Sequence, residues 1–214
     1  LLIGWLLAQV LSKATDVVLE RVSFDRAVER GGVGRALESS RYDASAPLPL
    51  VLSFHGGGGR GKSQRVLTGF ERIGEREGFL TAYPDGLRRT WNGGDGDTLY
   101  AEKHRIDDVG FASALIDDIG RRSCVDPRRI YASGFSNGGR LTQRLGCDLA
   151  DRLAAIAPIS APMPARIAPR CKPARPISVL EAHATTDEQS PFAGGATDSG
   201  NEVMSVPETI AGWV

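Results

Sequence analysis

The segment Gly134-Phe135-Ser136-Asn137-Gly138 fits the pattern Gly-x-Ser-x-Gly. In that pattern a serine hydroxyl rides a strained turn at the carboxyl end of a strand, and bulky neighbours would collide with adjacent chain. The turn also aims the first amides of the following helix at the hydroxyl. Ser136 is therefore read as a nucleophile, with an ordinary strand-to-helix turn as the bland alternative. His55-Gly56-Gly57-Gly58-Gly59 follows an earlier apolar run. Acyl transfer places negative charge on a carbonyl oxygen, and N–H groups already held in position stabilise it without reorganisation. Gly57 and Asn137, the residue after the serine, are the expected donors. The alternative for the glycines is a flexible loop.

A serine needs a base, and the base needs an acid to orient it. Asp187 fits the acid, because the apolar run Ile177–Ala182 leads into His183-Ala184-Thr185-Thr186-Asp187. The alternative is a solvated turn aspartate. The base should come after the acid in this order of residues, yet the only histidines are His55, His104 and His183. His55 belongs to the glycine loop and is assigned with Trp91 to substrate binding. Trp91 is a candidate pocket wall, or else a packed loop aromatic. His104 reads as a surface or packing residue, and His183 stands too close to Asp187 in sequence to serve both it and Ser136. The general-base histidine is thus expected to be missing from this chain.

The same glycines support a rival. Gly56–Ser63, GGGGRGKS, satisfies G-x-x-x-x-G-K-[ST] between a strand and a helix. Its amides and Lys62 would hold nucleotide phosphates and Ser63 a magnesium ion. The rival lacks a clear acidic partner strand and leaves Ser136 unexplained.

These residues need elements to position them. Leu48–Phe54, Phe79–Tyr83, Ile130–Ser133, Leu153–Ile159 and Ile177–Ala182 read as buried strands. Val66, Phe70 and Ile73, then Val109, Ala112, Ile116 and Ile119, then Leu141, Leu145 and Leu149 recur at helical spacing. Asp107 or Asp108 can cap the second of these helices, and Asp126-Pro127 reads as a turn before the third strand. Ser205-Val206-Pro207-Glu208 opens a last helix, with Ile210 and Trp213 on its apolar face. Alternation of strands and helices predicts an α/β fold, a mostly parallel sheet with helices on both faces. Residues 1–45 form a poorly defined segment and residues 46–214 one domain.

Bulk properties exclude other classes. The chain has 214 residues, 41% hydrophobic and 24% charged, enough for one sizeable core. Lys+Arg and Asp+Glu are both 26, so no field of one sign draws in nucleic acid. No run approaches the ~18 apolar residues of a membrane span. Leu1–Leu11 is read either as a remnant of a secretion signal or as an ordinary apolar segment, followed by a short strand near residues 16–22. Of Cys124, Cys147 and Cys171, a 147–171 pair would contribute about 3–4 kcal/mol; three buried reduced thiols are the alternative. No cofactor or metal is expected, and the oligomeric state is not legible.

Taken together, PLVLSFHGGGG, YPDG with TWN, DDVGF, CVDPRRIYASGFSNGG, DRLAAIAPIS, RPISVLEAHATTD with PFAGG, and VPETIAGWV resemble the esterase family of polyhydroxybutyrate depolymerases and feruloyl and acetylxylan esterases. The resemblance runs from about Pro47 to Val214. It implies an α/β-hydrolase fold, Ser136 as nucleophile, Asp187 as acid, export, and a small-molecule or polymeric ester as substrate. It also implies a base histidine in a glycine-rich turn past VPETI, and a later cysteine as partner for Cys124, which makes this sequence a fragment. His183-Ala184-Thr185-Thr186-Asp187 departs from the His-Gly-Thr-x-Asp that relatives often show, and no strand is recognisable in residues 20–42. The expected activity is a serine carboxylic ester hydrolase working through an acyl-enzyme. The alternatives are the nucleotide hydrolase and a non-catalytic hydrolase-like binding module.

Overall fold

A computed structural model describes residues 46–94, 96 and 98–214 of the protein. The readings of residues 1–45, including the strand near 16–22, lie outside these. Strand β1 (Leu48–Phe54) is formed by the apolar run and is buried at its carboxyl end. Leu50, Leu52 and Phe54 are at most 1% exposed and share one face. Helices α1 (Gly61–Thr68) and α2 (Phe70–Glu77) meet at Gly69, whose φ of 61° turns one into the other. Strand β2 (Leu80–Ala82) follows. A 3-10 turn at Leu87–Arg89 and helix α3 (Tyr100–Lys103) lead to α4 (Asp108–Arg122). Asp107 caps α4 by accepting the Gly110 N–H at 2.8 Å.

Strand β3 (Val125–Phe135), helix α5 (Asn137–Asp148), strand β4 (Ala155–Ile159) and strand β5 (Ser178–Val179) complete the main sheet. Its order is β2-β1-β3-β4-β5, with every neighbouring pair parallel. Two short antiparallel strands, β6 (Gly195–Ala196) and β7 (Glu202–Val203), precede α6 (Val206–Trp213). Parallel crossovers put helices on both faces. On one face Leu115 and Ile119 of α4 and Leu141 and Leu145 of α5 pack on Leu52 and Ile156. On the other, Gln64 of α1 donates to Ser53 Oγ at 3.1 Å. There Phe70 and Phe79 border a groove of about 330 Å³ along Val51, Tyr131, Ala155 and Leu180.

The structure corrects several boundaries. Asp126-Pro127 lies inside β3 as a bulge and not before it as a turn. The register passes from Leu48 opposite Val125 to Leu50 opposite Ile130, so the intervening residues loop out. The fifth strand is shorter than its apolar run, but its backbone bonds continue: Leu180 N–H reaches Ile156 O at 3.0 Å, and Ala182 bridges Ile159. In α6, Val206 and Thr209 turn inward while Ile210 remains 48% exposed.

Cys147 at the end of α5 is bonded to Cys171, which excludes the reading with three reduced thiols; Cys124 is exposed and free. Met163 and Ile167 pack against the bridge. Closing a loop of sequence separation 24 restricts the unfolded chain. The double variant Cys147→Ser/Cys171→Ser is expected to lose about 3 kcal/mol of stability in urea unfolding. An unchanged midpoint would count against this assignment.

Candidate active site

Ser136 joins β3 to α5 with φ 52° and ψ −118°, a conformation that L-residues adopt only under constraint. Two kinds of contact impose it. Its N–H bonds Ile159 O of the neighbouring strand at 2.9 Å. The first turn of α5 is pressed against the end of β1, where a Cβ on Gly138 would stand 2.4 Å from Phe54 O. Gly134 is under the same restriction, since a Cβ there would meet Gly138 O at 2.2 Å. The glycines flanking the serine are therefore required by close approach.

That approach brings the glycine loop beside the bend. A Cβ built on Gly57 would lie 3.7 Å from Asn137 Cβ. Among the described residues, no acceptor is bonded to the N–H of Gly57 or of Asn137. The carbonyl of Gly56, at the other end of the Gly57 peptide, accepts from Gly59 N–H at 2.9 Å and from His55 Nδ1 at 2.8 Å. These two bonds orient the peptide and polarise its N–H. Two free, adjacent backbone donors beside a raised serine make a geometry suited to holding an oxyanion.

His55 and Trp91 are not walls of a pocket, which corrects their assignment to substrate binding. Each is 1% exposed. His55 Nε2 accepts the Gly86 N–H at 3.0 Å, and burial lowers its pKa, with the Gly56 carbonyl opposing. The neutral ring thus ties the loop to the turn at residue 86. Trp91 Nε1 donates to His55 O at 3.0 Å, and its ring meets Phe54 edge-on at 5.3 Å. Asn137 clamps the Trp91 peptide: its Oδ1 accepts from Trp91 N at 2.8 Å and its Nδ2 donates to Trp91 O at 2.9 Å. Asp108 holds the next residue, accepting Asn92 N–H at 2.6 Å, and burial raises its pKa to about 7.

Asp187 lies in the turn beyond the end of β5. Its Oδ1 accepts the N–H groups of Gln189 and Ser190 at 3.0 and 2.9 Å, which leaves Oδ2 3.5 Å from His183 Nε2. The carboxyl ends of three strands meet here. Ser136 N–H bonds Ile159 O, and Ser160 N–H bonds Ala182 O at 2.8 Å, five residues before the acid. His183 is committed elsewhere, its Nε2 donating to Ser190 O at 2.7 Å. His104 Nδ1 bonds Tyr100 O, and its ring stacks on Tyr100 at 4.0 Å. Each of the three histidines gives one ring N–H to a backbone carbonyl: His55 to Gly56, His104 to Tyr100 and His183 to Ser190.

The phosphate-loop reading of Gly56–Ser63 loses three of its backbone donors. Gly58 N–H goes to Arg89 O, Gly59 N–H to Gly56 O, and Gly61 N–H to the Asp85 carboxylate at 2.7 Å. Ser63 Oγ donates to Arg60 O at 2.7 Å, closing the start of α1. A carboxylate occupies the place that a phosphate would need.

One buried group escaped the sequence reading. Glu181 Oε2 accepts from Gln143 Nε2 at 2.9 Å, Gln143 Oε1 accepts from Trp213 Nε1 at 2.9 Å, and Glu181 Oε1 faces His183 Nδ1 at 3.8 Å. This set links the helix behind Ser136 to the turn carrying Asp187. Burial raises the Glu181 pKa from 4.5 to about 8, against the bond from Gln143. Below the lower value both folded and unfolded chains carry the proton. Between the two values the unfolded chain ionises first and stability falls; above the upper value no more is lost. The Glu181→Gln variant keeps an acceptor for Gln143. It is expected to be more stable than wild type at pH 8 by on the order of 1–3 kcal/mol and equal to it at pH 4. Denaturant titrations of both proteins across this range measure the difference, which also cancels the contribution of Asp108.

No family model matches the chain. It is 33% identical over 179 residues to "Feruloyl esterase B" of Piromyces equi, an alignment covering 81% of this chain and 32% of that protein. It is 31% identical over 158 residues to a bifunctional acetylxylan esterase/xylanase of Neocallimastix patriciarum, covering 73% of this chain and 22% of that one. The chain spans about a third of the length of the first of these relatives and less of the second. The crystal structure of a thermostable esterase superposes with a TM-score of 0.56 at 21% identity, covering 72% of this chain and 42% of that one. With its parallel sheet and its strand–serine–helix bend, the chain is by fold an α/β-hydrolase and by sequence a relative of the feruloyl and acetylxylan esterases.

Proposed function

We propose that the protein is a serine carboxylic ester hydrolase acting through an acyl-enzyme. The observation that carries this reading is the pair of free N–H groups, Gly57 and Asn137, beside the bend at Ser136. Ser136 Oγ attacks the ester carbonyl carbon as its proton passes to a base imidazole, which returns that proton to the departing alkoxide, and the carbonyl electrons move onto the oxygen held by the two N–H groups. The tetrahedral adduct collapses and expels the alcohol. Water then attacks the acyl-enzyme and releases the acid. Asp187 is the acid that orients and stabilises a base imidazolium. No histidine of this sequence is assigned the base. The substrate class is an ester of a plant cell-wall acid, an acetylated polysaccharide or a hydroxyalkanoate, in keeping with the names of the relatives and with the motifs quoted above. Export to an oxidising compartment fits the Cys147–Cys171 bridge.

A fluorophosphonate with added imidazole tests this reading, the imidazole supplying the missing proton acceptor. Ser136 is expected to be modified, faster with imidazole than without, and Ser136→Ala is expected to abolish labelling. Modification that persists in Ser136→Ala would refute the nucleophile. No modification of Ser136 under either condition would favour the non-catalytic binding module.

A further inference from the structure

We propose that Arg89 is a positioning residue for the oxyanion loop, holding Gly58 and Gly59 in the arrangement that leaves the Gly57 N–H free. The inference rests on the hydrolase reading for its purpose, but its structural part stands alone. Arg88 and Arg89 are consecutive left-handed residues, with φ of 50° and 64°. Glycine or asparagine would take this backbone with less strain. Strain kept at a non-glycine residue points to a use for its side chain.

For Arg89 the use is visible. Its guanidinium donates to Gly58 O through Nη2 and reaches Gly59 O through Nε at 3.4 Å, while its own carbonyl accepts the Gly58 N–H at 2.8 Å. Its N–H closes the turn on Gly86 O at 2.9 Å, and Gly86 is the residue bonded to His55. The consequences reach the donor in two steps. Fixing Gly58 and Gly59 delivers the Gly59 N–H to Gly56 O, and Gly56 O heads the peptide whose other end is the Gly57 N–H. A planar fork can serve two carbonyls at once, and a lysine ammonium on a flexible stem does so poorly. Arg88 is the internal control. It shares the strained backbone, but its guanidinium lies over the Tyr100 ring at 5.8 Å, turned to a different partner.

The test uses the full chain and three variants, Arg89→Gly, Arg89→Lys and Arg88→Gly. The first reading is amide hydrogen exchange at Gly58 and Gly59. Exchange at least tenfold faster is expected in both Arg89 variants and wild-type rates in Arg88→Gly. The second is the affinity of phenylboronic acid, whose boron gains the Ser136 oxygen as the serine proton passes to buffer. Arg89→Gly and Arg89→Lys are expected to bind about tenfold more weakly, and Arg88→Gly as wild type. Arg89→Gly relieves strain, so its melting temperature is expected to hold or rise while affinity falls, a split that a merely stabilising side chain would not give. Wild-type exchange rates at Gly58 and Gly59 in both Arg89 variants would overturn the proposal, as would an affinity loss that only tracks a fall in melting temperature. If wild type takes no boronate at Ser136 while exchange responds as stated, the hydrolase reading fails and the loop clamp stands.

Discussion

The contact between the first turn of α5 and the carboxyl end of β1 is the constraint on which the site depends. It is a packing of backbone on backbone, with the place of a Gly138 Cβ filled by carbonyl oxygens of Phe54 and His55. Because the helix is that close, the chain between β3 and α5 must turn within one residue, and Ser136 takes the strained φ. The same closeness sets Gly57 beside Asn137. The strained serine and the two adjacent N–H groups are therefore consequences of a single steric fit, maintained by the sheet core beneath it.

Polar side chains then fix what packing leaves loose. Asn137 grips the Trp91 backbone with its side chain, while its main-chain N–H, at the first position of α5, has no intrahelical acceptor. Trp91 and His55 are buried against one another and tie the segment at residues 86–92 to the loop at residues 55–59. Such groups are costly to bury unless paired, and here nearly every pairing is to backbone. The region behind the serine is a lattice of fixed dipoles, held by buried side chains bonded to backbone.

Much of this architecture is legible in the order of residues. The apolar run Leu48–Phe54 forms β1 with the same bounds, and the glycines around Ser136 mark the bend because only a missing side chain admits the helix so close. What escapes pattern reading depends on partners far along the chain. Trp91 looks like a loop aromatic until its indole is seen bonded across 36 positions to His55. Glu181 ends an apolar run, and its burial is intelligible only with Gln143 placed 38 positions earlier on another element. Nothing in the order of residues marks Arg88 and Arg89, since left-handed backbone has a compositional sign only when glycine or asparagine occupies it. The bulge in β3 is hidden for the opposite reason: Asp-Pro is a strong local turn signal, and the sheet absorbs it within a strand.

Cys124 sits exposed just before β3, on a molecule whose other two cysteines are joined. In a polypeptide of these 214 residues, oxidant that closes the native bridge leaves this thiol free to couple with its counterpart on a second molecule. Reductant added to prevent such coupling attacks the bridge as well. Alkylation of the folded polypeptide, which reaches the exposed thiol and not the bridge, separates the two sulfur chemistries.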